Sequence, residues 1–237
     1  MNGPLHILIA LLLACVATQA QDYRLNSRNS GVETKTAMYD THWICLGDTL
    51  SCDTTDDGTV GYLIDGMWAL CIEVPQDLWN FYMERNPSPI RCDTLPVTGV
   101  TPAEVDTFAA RIGRATRLDW RLPTREEWLF IYHGGLFSEG YAYCGSNRPE
   151  WVAWYHGTSG GMLHPCAQRI PNEVGMFDML GNAAELVIDG DRTVAIGGTC
   201  LDSYPATNPG HLTTDAPPKL TGFRIVCRKA LWFSKEE

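Results

Sequence analysis

The sequence predicts an α+β protein with little regular secondary structure and long loops. Capped, helix-periodic segments are confined to residues 75–135, and short apolar runs broken by Gly and Pro fill the remainder. Helices first and short strands later argue for α+β and against a βαβ repeat. With 45% hydrophobic and 19% charged residues in 237, the chain can bury a sizeable core, and it lacks the low-hydrophobicity, high-charge signature of a disordered protein.

The N-terminus reads as an address. Leu5–Val16 is one apolar run of twelve residues, too short to span a bilayer and suited to a signal-peptide core, although Met1–Pro4 carry no Lys or Arg. Cleavage after Thr18-Gln19-Ala20 is expected, giving a leader of residues 1–20 and a mature chain of 237 − 20 = 217 residues. Leu12-Leu13-Ala14-Cys15 resembles a lipobox and is the rival reading, in which Cys15 carries lipid. Residues 21–39 form a polar lead-in, residues 40–229 the domain, and residues 230–237 a tail.

Nine cysteines fall to eight once Cys15 is set aside, an even number that fits disulfides in an exported chain. No CxxC pair occurs, and the Cys and His spacings match no zinc template. The formal charge is −10, from 18 basic and 28 acidic residues. No basic run is present, so a nucleic-acid footprint is excluded and an anionic membrane surface is disfavoured. No Asn-x-Ser/Thr acceptor occurs (Asn86 precedes Pro87), which is compatible with a bacterial source.

Short strands and turns are expected over His42–Asp57. The turn from Asp53 to Gly58 imitates a calcium loop, but its twelfth position is Ile64, so the bidentate carboxylate is missing and a solvated turn is the reading. Pro75 opens the first helix, with Leu78, Trp79, Tyr82 and Met83 on one stripe and Pro87 beyond it. Thr101-Pro-Ala-Glu104 is a capping box; Val105, Phe108, Ala109 and Ile112 follow at helical spacing, and Gly113 is expected to close that helix. Thr124-Arg-Glu-Glu127 is a second capping box, ahead of Trp128, Ile131 and Tyr132, and Gly134-Gly135 ends that helix. Beyond Gly135 no long helix is expected.

Gly157-Thr-Ser159-Gly-Gly161 matches the G-x-S-x-G pattern of serine hydrolases. A nucleophile elbow needs a strand before it and a helix after it, and here a glycine-rich loop runs on into Pro165, so a turn is the preferred reading. The histidines are scattered, and Asp189, Asp191 and Asp202 show no spacing that defines paired acids.

Six segments in order resemble the formylglycine-generating enzyme family, also called the sulfatase-modifying factor domain. They are Ile72-Glu73-Val74-Pro75, Arg121-Leu-Pro-Thr-Arg-Glu-Glu-Trp128, Val152-Ala-Trp154-Tyr155, the block from His164 through Pro171-Asn-Glu-Val-Gly-Met-Phe-Asp-Met-Leu-Gly-Asn182 to Glu185, Ile196-Gly-Gly-Thr-Cys200, and Gly222-Phe-Arg-Ile-Val226. The resemblance implies an elaborated C-type-lectin-like α+β fold. It also implies a copper site of two thiolates in the oxidase members. Their positions fall on Asp202 and Thr207, so copper is not expected here, because Cu(I) wants soft ligands. Cys200 lies two positions early and is catalytic only if the chain is nonetheless an oxidase of sulfatase cysteines. Cys200 and Cys227 lie on segments that resemble neighbouring strands, which implies a disulfide between them. The resemblance further implies Ca²⁺ held by Asn182, the Ala183 carbonyl and Glu185, with a tight Gly181 turn bonded by those side chains as the alternative. The resemblance places Tyr204 and the Asp202–His211 loop on the family's cleft rim, and binding is expected through the loops around 155–165 and 200–215, at Trp154, Tyr155, His156, Asp202, Tyr204 and His211, with core packing as the alternative for Trp154 and Tyr155 of the family's shared scaffold. The sequence-level expectation is therefore an exported, non-catalytic member of that fold, secreted, periplasmic or lipid-tethered, that binds a protein, peptide or glycan of the cell envelope.

Overall fold

The described residues of the computed structural model form ten strands and five helices, several of them only two to four residues long. The structure describes residues 43–45, 50–54, 60–116, 119–203 and 215–234. The expected leader, Cys15, most of the Asp53–Gly58 turn, Tyr204, Thr207 and His211 lie outside the described residues. Helices and strands mix as expected for α+β. No described helix is long and apolar enough to cross a membrane.

The largest sheet has the order β1 (Trp43–Cys45), β3 (Val60–Leu70), β10 (Val226–Ser234), β4 (Trp120–Arg121), with β2 (Leu50–Thr54) also paired to β3. β10 runs antiparallel to β3 with Cys227 opposite Trp68, and antiparallel to β4 with Cys227 opposite Trp120. A parallel pair joins β5 (Ala153–Trp154) to β6 (Leu180–Gly181). The third sheet has the order β8 (Arg192–Ile196), β7 (Ala184–Asp189), β9 (Thr221–Gly222).

The helices follow their caps. In α1 (Gln76–Tyr82) Trp79 is fully buried, and the helix ends at Met83, where the backbone becomes extended with φ −121°. Around Trp79 an aromatic cluster fastens α1 and α2 to the segment after β9. Trp79 stacks on Phe108 with centroids 5.4 Å apart, and Phe223 meets both rings edge-on at 5.9 and 5.5 Å. α2 (Pro102–Thr116) buries Val105, Phe108, Ala109 and Ile112, as its spacing predicts. It does not stop at Gly113. Helix continues to Thr116, since Gly113 has no positive φ and its glycine penalty of about 1 kcal/mol is tolerated inside a packed helix. α3 (Arg125–Tyr132) has the complete capping box: Thr124 Oγ1 accepts from the Glu127 N–H at 3.2 Å, and Glu127 Oε2 accepts from the Thr124 N–H at 2.9 Å. Gly134, at φ +85°, then turns the chain away. Two single turns follow, α4 (Pro149–Val152) and α5 (His156–Ser159).

This topology corrects the expected disulfide. Cys227 sits on β10 between β3 and β4, whereas Cys200 follows β8, which among the described residues pairs with β7 alone. The two cysteines are not on neighbouring strands, and no bond joins them. Cys71, Cys92, Cys144 and Cys166 are free thiols, and no disulfide occurs among the cysteines whose side chains are described. Burial pushes the Cys71 thiol up to about 12 and raises those of Cys144 and Cys166, which makes them apolar packing groups and not nucleophiles.

Candidate binding site

The parallel register of β7 and β9 places Glu185 opposite Gly222, and two residues later the chain delivers Arg224 to the same spot. Arg224 is 0% and Glu185 1% exposed. The guanidinium grips the carboxylate as a fork, Nε to Oε2 and Nη2 to Oε1, both at 2.6 Å. Trp128 Nε1 of α3 adds a bond to Oε2 at 2.7 Å, and Arg224 also donates to the carbonyls of Leu70 and Phe177. One ion pair thus joins β7, α3, the end of β3 and the 177 loop.

Two more carboxylates are buried nearby. Glu73 is 0% exposed; its Oε2 accepts from Asn182 Nδ2 at 2.7 Å and its Oε1 from the Ala183 N–H at 3.0 Å. Asp178 accepts from the Ala167 N–H through Oδ2, while its buried Oδ1 has no protein partner. Three carboxylates face one guanidinium. Burial, then the charges of Asp178 and Glu185, hold Glu73 well above the usual carboxylate range. Burial likewise pushes Asp178 up to about 6, against the Ala167 hydrogen bond and the Arg224 charge. Desolvation opposes the Arg224 cation, but Glu185 outweighs it and the pKa of Arg224 is raised.

Asn182 links this centre to the rim. Its backbone is left-handed, φ +56°, a conformation Asn accepts more readily than most residues. Its N–H donates to the Trp154 carbonyl at 2.8 Å, and its own carbonyl accepts from the Cys200 N–H at 2.8 Å. Its Oδ1 accepts from the His164 N–H at 2.9 Å, and Nδ2 donates to the His164 carbonyl at 3.1 Å as well as to Glu73. The preceding Gly181 has φ +81°, and a Cβ there would lie 2.1 Å from the Trp154 carbonyl oxygen, so only glycine fits.

The rim hangs from these bonds. His156 donates its N–H to the Asp202 carbonyl at 2.9 Å, joining α5 to the loop after β8. Ser159 Oγ donates to the Cys200 carbonyl at 2.7 Å and accepts from the Gly161 N–H at 2.9 Å. Ser159 is buried and aimed at main chain, so the G-x-S-x-G match is a structural turn. Trp154 is the centre of a three-layer stack. His164 lies parallel to it at 3.7 Å and the Arg169 guanidinium lies over it at 3.6 Å; two groups that close to one ring must occupy opposite faces. The His164 Nε2–H donates to the Ser159 carbonyl at 2.9 Å. Above this floor His156 is exposed, and Met162 and Leu201 are 63% and 45% exposed on either side of Gly161.

Of the expected ligand-binding residues, Trp154, Tyr155, His156 and Asp202 thus meet along one rim, with Trp154 in its floor. The metal expectations fare differently. Asp202, at the first copper-thiolate position, is a loop cap whose Oδ2 accepts from the Thr199 N–H at 2.6 Å. Burial pushes the Cys200 thiol up to about 11, so it is protonated at neutral pH. These donors do not fit a two-thiolate copper centre. Nor do Asn182, Ala183 and Glu185 fit the expected calcium. Asn182 Oδ1 already accepts from the His164 N–H, and both Glu185 oxygens are held by a cationic guanidinium that would repel a second cation. Sequence reasoning missed Glu73, Asp178 and Arg224 as a unit, although two of them carry a readable mark: a single carboxylate between apolar residues, in Ile72-Glu73-Val74 and Phe177-Asp178-Met179.

Comparison with known proteins agrees with this architecture. Among solved structures, variable protein 1 of Treponema denticola superposes with a TM-score of 0.60 at 19% identity, covering 79% of this chain and 95% of its own. The structure of CarF gives a TM-score of 0.57 at 20% identity over 79% of this chain and 98% of that one. PvdO of Pseudomonas aeruginosa gives 0.54 at 16% identity over 79% and 94%. A curated relative, the chaperone protein LppX of Paenibacillus barcinonensis, is 35% identical over 83 residues, which are 28% of this chain; the match spans under a third of that relative's length, 30%. Residues 54–229 match the model of the sulfatase-modifying factor enzyme 1-like domain, a span that takes in the Glu185–Arg224 pair, Asn182 and the whole described rim, and the chain belongs to that family.

Proposed function

We propose that this chain is an exported, non-catalytic member of its family that binds a polypeptide or glycan of the cell envelope through the rim formed by α5 and the loop after β8. The observation that carries the reading is Asp202. At a position where the oxidase members need a thiolate it offers an oxygen, and that oxygen is already committed to the Thr199 N–H. Cys200, two positions before it, is buried and held as a thiol. A rim with exposed Met162, Leu201 and His156 on a main-chain-bonded floor suits recognition better than redox chemistry. The partial likeness to a protein that bears the name chaperone supports a polypeptide over a glycan.

The test is a Cu(I) titration of the reduced full chain against a chromophoric chelator, run beside turnover of a CxPxR-type sulfatase peptide. No stoichiometric copper uptake and no aldehyde formation are expected. Tight 1:1 copper binding with turnover that is lost in Cys200→Ser would establish the oxidase and overturn this reading.

A further inference from the structure

We propose that Trp151, Arg148 and Ile170 form a docking site for an acidic, apolar segment of a partner polypeptide. The site uses none of the rim residues named above. Trp151 is 47% exposed on α4 and Ile170 is 40% exposed beside it. Their backbones are tied together, the Ile170 N–H donating to the Trp151 carbonyl at 3.1 Å. The turn is pinned from both ends. The Arg148 N–H donates to Ser146 Oγ at 3.0 Å, and Arg169 Nη1 donates to the Glu150 carbonyl at 2.9 Å. A large indole held out on a rigid turn is the kind of anchor that loses little entropy on binding.

Charge selects the partner. The Arg148 guanidinium lies over the Trp151 ring at 4.8 Å and is exposed. Among the described residues no carboxylate lies within 4.0 Å of it, the exposed Glu150 included. A guanidinium stacked on an indole keeps its N–H edge free and pre-oriented for a bidentate carboxylate. Among the described residues this cation stands unpaired, and it lies on a chain of net charge −10, where acids outnumber bases. An Asp or Glu of the partner would meet Arg148, and an adjacent large apolar side chain would cover Trp151 and Ile170. The aliphatic Ile170 beside the ring favours a polypeptide over a sugar, whose hydroxyls need polar neighbours.

The experiment measures fluorescence anisotropy of a labelled octapeptide alternating Leu and Glu against the full chain. Control peptides alternate Leu with Lys and Ser with Glu, and trigalacturonate serves as competitor. Saturable binding of the Leu–Glu peptide is expected, with both controls at least tenfold weaker. Trp151→Ala and Arg148→Glu should each weaken it at least tenfold with an unchanged melting temperature, because both side chains are exposed. Leu201→Ala, on the rim, should leave it unchanged. Added salt should weaken binding, as expected for an exposed charge contact. Absence of saturation, equal binding by the variants, loss on Leu201→Ala alone, or displacement by trigalacturonate would overturn the proposal.

Discussion

Removing one partner of the Glu185–Arg224 pair tests what holds this fold together. Glu185→Gln keeps the size of the side chain but turns an amide N–H₂ toward a guanidinium that has no proton acceptor to spare for it. Both 2.6 Å bonds lose their charge, and the Trp128 indole N–H loses its carboxylate. Arg224 stays buried, with only Glu73 and Asp178 to balance it. Breaking a buried pair from one side costs about 3–5 kcal/mol. In a domain of this size that corresponds to a fall of roughly 6–20 °C in melting temperature. Arg224→Met should cost a similar amount, since it also strands the Leu70 and Phe177 carbonyls. The double variant removes both charges together. Its loss should therefore fall short of the sum of the two by at least about 2 kcal/mol. Urea unfolding of the four proteins, each in calcium and in chelator, measures this. Additivity within about 0.5 kcal/mol would refute the coupling. A calcium-dependent melting shift in the wild type that Glu185→Gln abolishes would return Glu185 to the role of a metal ligand.

Asp178→Asn should flatten the pH dependence of stability. A carboxyl raised from 3.8 to about 6 in the folded state holds its proton there while the unfolded chain ionises, so stability falls as pH rises from about 4 to 6. Asn removes that penalty, keeps an oxygen for the Ala167 N–H and tolerates the φ of +54°, so at pH 7 the variant should gain about 1–3 kcal/mol, and a variant less stable than wild type at pH 7 would refute the assignment. Gly181→Ala should yield no folded protein by circular dichroism, because its Cβ would collide with the Trp154 carbonyl; soluble, cooperatively melting protein would contradict the geometry. Among the six cysteines whose side chains are described, a maleimide should label only Cys92 in the native state, since its thiol is exposed and hydrogen bonds from Thr94 lower its pKa; native labelling of Cys200 would show that its burial is wrong. Thr124→Ala removes one side of a complete capping box and should cost about 1 kcal/mol in urea unfolding, with no loss meaning that the cap is redundant.

Local rules carried the first half of the molecule. Thr101–Glu104 and Thr124–Glu127 are capping boxes in sequence and in space, because a cap is made within four residues and needs nothing from the rest of the fold. Gly113 misled for the same reason: a glycine's local preference yields when the helix face that leads up to it, Val105, Phe108, Ala109 and Ile112, is packed in the core. The motif order revealed the fold but not the partnerships inside the motifs. Glu185 and Arg224 are 39 residues apart, Glu73 and Asn182 are 109 apart, and only the β7–β9 register and the left-handed turn at Asn182 bring them together. The expected calcium and disulfide both came from reading such residues one segment at a time.

Asn182 has a consequence for how this protein can change. Every bond it gives to the rim ends on a main-chain atom: the Trp154 carbonyl, the Cys200 N–H, and the N–H and carbonyl of His164. No outward-pointing side chain takes part in that anchorage. Positions such as His156, Met162 and Leu201 can therefore be randomised in a library while the platform beneath them keeps its shape, which makes this chain a natural starting scaffold for selecting new affinities.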